Sequence, residues 1–139
     1  MFRLHVGAAL LQRDREEIGE LPSWAKGQSA PKAVREMEVG HERRVSAHIG
    51  RMTVLWIAIP DPPGPENLRA YVEKNAIALL SNGLAPIDRP SPEWLGLHSP
   101  RREIRGSGLW NLNHVTKTYD PSFLQILGDL VDRMSHRRA

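Results

Sequence analysis

The sequence predicts a small mixed domain of the α+β class, about four helices around a short central sheet. Three patterns predict it. Apolar residues recur at steps of three or four in several separate stretches. One stretch, RMTVLWIAIPD at 51–61, is rich in β-branched and aromatic residues and runs unbroken for about eight positions. The 139-residue length suits one domain, here taken as 1–139, and a chain of this size buries roughly 68% of the surface its unfolded form exposes.

The elements follow in order. Residues 2–18 read as a helix, with Phe2, Val6, Ala9 and Leu10 at helical spacing and charge following in QRDREE. Gly19 and Pro22 end it. LPSWAKGQSAP is a loop that Trp24 anchors to the core. A second helix begins near Pro31, which suits a first-turn position, with Ser29 as cap. Val34, Met37, His41, Val45 and Ile49 step along one of its faces, and Gly40 weakens it by roughly 1 kcal/mol relative to alanine.

The 51–61 run then reads as a strand covered on both faces, and DPPGP ends it. A third helix runs over 65–80 and closes at Asn82-Gly83. Residues 84–119 are mostly irregular, but Trp94, Leu95, Leu109 and Trp110 predict that this loop packs down onto the core. The last helix starts at Asp120-Pro121, aspartate as cap and proline in the first turn. Phe123, Leu127, Leu130 and Met134 line its apolar face.

Composition excludes several chemistries. The chain has no cysteine, so it carries no disulfide framework, zinc-thiolate site or cysteine nucleophile. No apolar run approaches the roughly 18 residues of a membrane span, and the N-terminus lacks the pattern of a secretory signal. A cytoplasmic protein with no membrane partner is expected. The formal net charge is +3, and the arginines cluster in HERRVSAHIGR, SPRREIRGSG and DRMSHRRA. Arginine suits bidentate phosphate contact, so these patches point toward a nucleic acid.

YVEKNAIALLSN raises the sharpest question. On the 65–80 helix, Leu68, Val72, Ala76 and Leu79 share one face, and Glu73 shares another with Arg69, Ile77 and Leu80. A carboxylate entering a buried region must be paired, hydrated in a cleft or bound to metal. Periodicity alone favours an Arg69–Glu73 surface pair, which contributes only about 0.3–0.5 kcal/mol.

YVEKNAIALLSN, followed by IDRPSPEWLG and SGLWNLNHV, resembles the C-terminal part of a GIY-YIG nuclease-type family. The likeness runs from FRLHVGAAL to YDPSFL. It implies a strand followed by a helix whose glutamate binds the catalytic metal. MTVLWIAIP and then DPPGPENLRAYVEKNA have that order, and Glu73 falls at the matching place. The resemblance further implies Mg²⁺ or another divalent cation on Glu73, Arg3 facing the phosphate, DNA as partner and phosphodiester hydrolysis as the reaction. It offers His5 as a second group on the first helix and Asn111, or else Asn113, near the end of the site. Arg3 and His5 lie two residues apart, about 200° around a helix, so they do not face one site together. Asn82 is more simply a helix cap.

The sequence departs from the family in one respect. The family's hairpin carries two tyrosines in GIY and YIG segments; here the tyrosines are Tyr71 and Tyr119, neither in such a context. The chain therefore resembles a member lacking the first two strands. It looks like a metal-dependent endonuclease without the motif tyrosines, expected to be incomplete or inactive. The alternative is a non-catalytic nucleic-acid-binding module. A hairpin near Ile87, a homodimer or a partner chain is expected to replace the missing strands, because a lone strand leaves both edges unpaired.

The remaining features have simpler readings. His41 and His48 are seven apart on one helical face, a long reach for one zinc ion. Ser107 in RGSGLW reads as a turn, since the longer nucleophile-elbow pattern is missing. Trp94 and Trp110 read as loop anchors before they read as base-stacking platforms.

Overall fold

A computed structural model describes residues 1–15, 21, 23, 24, 31–62, 64 and 67–136. Helix α1 spans Phe2–Arg13 and buries Val6, Ala9 and Leu10. Helix α2 spans Lys32–Ile49, α3 Leu68–Ser81, α4 Arg102–Ser107 and α5 Ser122–His136. Short 3₁₀ turns occupy Asn82–Leu84 and Leu95–His98. No helix among the described residues is long and apolar enough to cross a membrane.

The predicted α+β class is not what the chain forms. All regular structure among the described residues is helical, with no strand and no sheet. The 51–61 run has strand composition but no strand partner among the described residues, and a strand exists only through a ladder to a neighbour. Val54, Leu55 and Trp56 are exposed rather than covered on both faces. The hairpin expected near Ile87 is also absent, and Ile87 is exposed in an irregular turn.

Two apolar clusters hold the helices. In the first, Val6, Ala9 and Leu10 of α1 meet Trp24, Val45 of α2 and Leu95. Trp24 is the anchor the sequence predicts, and its Nε1 donates to the Leu4 carbonyl at 3.2 Å. A Cβ on Gly7 would come within 2.2 Å of the indole, so the glycine inside α1 is what lets this ring lie against the helix. In the second cluster, Val72 of α3 packs on Phe123 and Leu130 of α5. The loop from 84 to 119 joins the two: the Leu95–His98 turn lies on α1, and α4 packs against both 3₁₀ turns and α3.

Helix ends follow local chemistry. Asn67 caps α3, its side chain accepting from the Ala70 amide at 2.8 Å. Asn82 closes α3 in the left-handed region at φ 43°, with Gly83 at φ 65° behind it, as the Asn-Gly pair predicts. Asp120 accepts from the Ser122 amide at 2.9 Å at the start of α5. Two predicted bounds are corrected: α1 ends at Arg13, with Asp14 as its C-cap, and not at 18, and α3 starts at Leu68 behind the extended Asn67 cap and not near Pro65; the Gly19 and Pro22 stop and the Ser29 cap lie outside the described residues. On α2 the predicted face is buried only at His41 and Val45, while Met37 is exposed.

Candidate functional site

Glu73 lies on the outer side of α3. Its neighbours set that orientation. Asn75 is buried; its Nδ2 donates to the Tyr71 carbonyl at 2.8 Å, and its Oδ1 accepts from the Asp120 amide at 2.7 Å. Tyr71 adds a hydroxyl hydrogen bond to Asp120 Oδ2 at 2.9 Å. These bonds turn Tyr71 and Asn75 toward α5, and two residues of helix rotate Glu73 by about 200° from either. Its carboxylate is exposed and makes no hydrogen bond or ion pair among the described residues.

The surface pair that periodicity favours does not form. Arg69 turns toward the residues before the helix, with its Nη2 at 3.3 Å from the Ile59 and Asp61 carbonyls. Asp61 also accepts from the Arg69 amide at 3.2 Å. Glu73 is thereby left without the partner one turn away.

Arg3 is bound to α2 through its Nε and Nη2. Its Nε donates to Glu42 Oε2 at 2.9 Å, and its Nη2 reaches the same carboxylate, the Glu42 carbonyl at 3.0 Å and Ser46 Oγ at 3.0 Å. The guanidinium binds α1 to α2. His5 is half-buried, and burial first and Arg101 second lower its pKa, which favours the neutral ring. Asn111 is half-buried and makes no side-chain hydrogen bond among the described residues. It follows Trp110, whose ring meets Phe2 edge-on at 6.0 Å and Trp94 at 5.4 Å. The loop carrying Asn111 therefore meets α1 at Phe2. Glu73 stands on a helix that packs against α5, α4 and the Asn82–Leu84 turn instead.

A cleft of about 450 Å³ opens between the end of α3 and the loop, lined by Leu79, Leu80, Arg89, Trp94, Ser107 and Leu109 among others. None of the four predicted site residues lines it. Ser107 is buried, and its Oγ accepts from the Leu109 amide at 3.2 Å, which is the work of a turn and not of a nucleophile. His41 is buried edge-on to Trp24 at 4.4 Å. Neither of its ring nitrogens has a well-formed hydrogen bond, and burial lowers its pKa. Among the described residues no three His, Asp or Glu side chains converge as a metal site.

Sequence reasoning missed the Asn75–Asp120 tie and the Glu42 partner of Arg3. The first had a signal, a lone amide in an apolar helical run. The second joins residues 39 apart and left none.

The arginine clusters divide. Arg105 donates to the Ser99 carbonyl, whereas Arg101 and Arg102 are exposed and make no ion pair among the described residues. The end of the DRMSHRRA cluster lies outside the described residues.

The family model described as GIY-YIG domain matches residues 1–137. No curated protein and no solved structure matches the chain.

Proposed function

The chain belongs to the GIY-YIG domain family, a nuclease-related family, and on that premise we propose that it engages DNA phosphodiesters but lacks a complete hydrolytic site. The observation that carries the incompleteness is Glu73 itself: it stands exposed, outside the cleft, with no converging metal-ligating side chains among the described residues, so the link to phosphodiester chemistry rests on the family match alone. Mg²⁺ commonly binds through one or two carboxylates plus substrate phosphate oxygens, and Glu73 suits that donor set as a single protein ligand. A bound ion there would supply Lewis-acid stabilisation of phosphate charge. One carboxylate holds Mg²⁺ weakly in the absence of substrate, because the ion keeps most of its waters.

Two other groups support incompleteness. Arg3 must exchange Glu42 for a phosphate before it can neutralise charge there. Tyr71 donates its hydroxyl to Asp120, and desolvation together with that carboxylate raises its pKa. A phenol so held is a poor general base. The test is plasmid nicking by purified chain with and without Mg²⁺. No cleavage above the blank is expected. Metal-dependent nicking abolished by Glu73→Gln would show the site to be complete.

Exposed Arg101 and Arg102 favour a second reading, a module that binds nucleic acid without cutting it. Binding of a labelled duplex would then fall steeply with salt, survive EDTA and Glu73→Ala, and weaken in the double variant Arg101→Glu/Arg102→Glu. Binding that vanishes in EDTA would count against this reading and for the metal-bound one.

A further inference from the structure

We propose that the chain pairs with a second copy of itself through residues 54–58, as an antiparallel, two-fold symmetric strand pair centred on Trp56; beyond them the Met52 amide and the Ile59 carbonyl are already bonded within the chain. Four consecutive apolar residues stand open to solvent here: Val54 at 78%, Leu55 at 94%, Trp56 at 65% and Ile57 at 36% exposure. Single exposed apolar residues are ordinary, but a contiguous apolar patch marks an interaction surface. The segment is also β-rich, so its missing partner is a strand edge.

The backbone says which edge is free. The Ala58 amide donates to Met134 Sδ of α5 at 3.3 Å. Successive residues of a strand present their amides and carbonyls to opposite edges. With Ala58 turned toward its own α5, the groups of Leu55 and Ile57 face outward. No backbone hydrogen bond of residues 53–57 occurs among the described residues.

Charge identifies the occupant as a second copy. No residue from 52 to 60 is charged, and the run is flanked by Arg51 and Asp61. Antiparallel pairing about Trp56 sets Leu55 opposite Ile57, Val54 opposite Ala58, and Arg51 opposite Asp61 of the second copy. Both ends of the pair then carry opposite charges, and each closes with the same contact, as an isologous interface requires. Arg51 is exposed and makes no ion pair among the described residues. Asp61 already has Arg69 at 3.6 Å and would share its charge with the second copy's arginine. These four side chains alternate between the two faces of the ribbon, so edge pairing covers only part of each, and the buried area falls well below the roughly 800 Å² per partner of a standard stable interface. The dimer is therefore weak, with a Kd of about 1–100 µM.

The chain's lack of cysteine permits a direct test of register. Residues on the two-fold axis meet their own copies, and a non-hydrogen-bonded antiparallel pair holds Cα atoms about 4.5 Å apart, within disulfide range. Under oxidised glutathione, Trp56→Cys is expected to cross-link to a dimer at least about tenfold faster than Leu55→Cys or Val54→Cys. Mixing Val54→Cys with Ala58→Cys is expected to give the mixed dimer. Sedimentation velocity from about 1 to about 200 µM, which brackets the expected Kd, should show concentration-dependent dimer that Leu55→Lys removes. Leu55 is almost fully exposed, so that variant keeps its fold, which its helical circular dichroism checks. A chain monomeric throughout the range, a dimer indifferent to Leu55→Lys, or equal cross-linking at all three positions would overturn the proposal.

Discussion

Residues 53–59 and residues 94–115 end in surroundings opposite to their compositions. The first run has the strand-forming, uncharged sequence TVLWIAI, yet Val54, Leu55 and Trp56 are exposed. The second is broken by glycine, serine, proline and arginine, yet it buries Leu95, Ile104 and Val115, with Ser99 and Ser107 beside them. The difference lies in available partners. Leu95 finds α1 and Trp24, and the two buried serines satisfy backbone amides within their own loop. The 53–59 run needs an adjacent strand, and none exists among the described residues.

That contrast can be broken by mutation, beginning with the largest effect. Ile104→Ala should destabilise the chain by about 2–5 kcal/mol, because the side chain is fully buried in α4; urea denaturation would measure it. A loss under 1 kcal/mol would mean that the 94–115 loop is not part of the cooperative core. Gly96→Ala comes next, at about 1–3 kcal/mol. Its new Cβ would lie 2.0 Å from the Trp94 ring, which meets Trp110 at a 59° tilt with centroids 5.4 Å apart.

Asp14→Asn calibrates both stretches from outside them. Hydrogen bonds from Arg13 first and Arg44 after it outweigh desolvation and hold the Asp14 carboxyl down to about 2. The folded value lies below the unfolded one, so the stabilisation is present above pH ~4 and lost as pH falls toward ~2. With both arginines partly exposed, the variant should cost about 1 kcal/mol at pH 7 and close to nothing at pH ~2. Equal destabilisation at both pH values would remove the ion pair as its cause. The smallest effect belongs to Leu55→Ala, within about 0.5 kcal/mol for the dilute monomer. A larger loss there would place the 53–59 run inside the fold.

The candidate site was legible to a similar, limited depth. Glu73 could be singled out because a carboxylate in an apolar helical run has few inexpensive fates. Its actual state depends on the Arg69 guanidinium turning to Ile59 and Asp61 and not to it, which helical spacing does not report. Arg3 could be named from the family likeness, but its capture by Glu42 arises only when α1 and α2 meet. The loop carrying Asn111 reaches α1 through the contact of Trp110 with Phe2, again a consequence of packing.

By itself the sequence determined those helix ends that a nearby side chain fixes, though its pattern runs three to five residues wide at the end of α1 and the start of α3. Asn67, Asn82-Gly83 and Asp120 act on amides and carbonyls a few residues away, and helical hydrogen bonds close within one turn. Tertiary structure alone decided which apolar residues are covered, which charges are paired and whether a strand-forming run becomes a strand. Those outcomes need a partner distant in the chain, such as Asp120 for Asn75 or Glu42 for Arg3. Local pattern cannot specify a contact whose other half lies on another element.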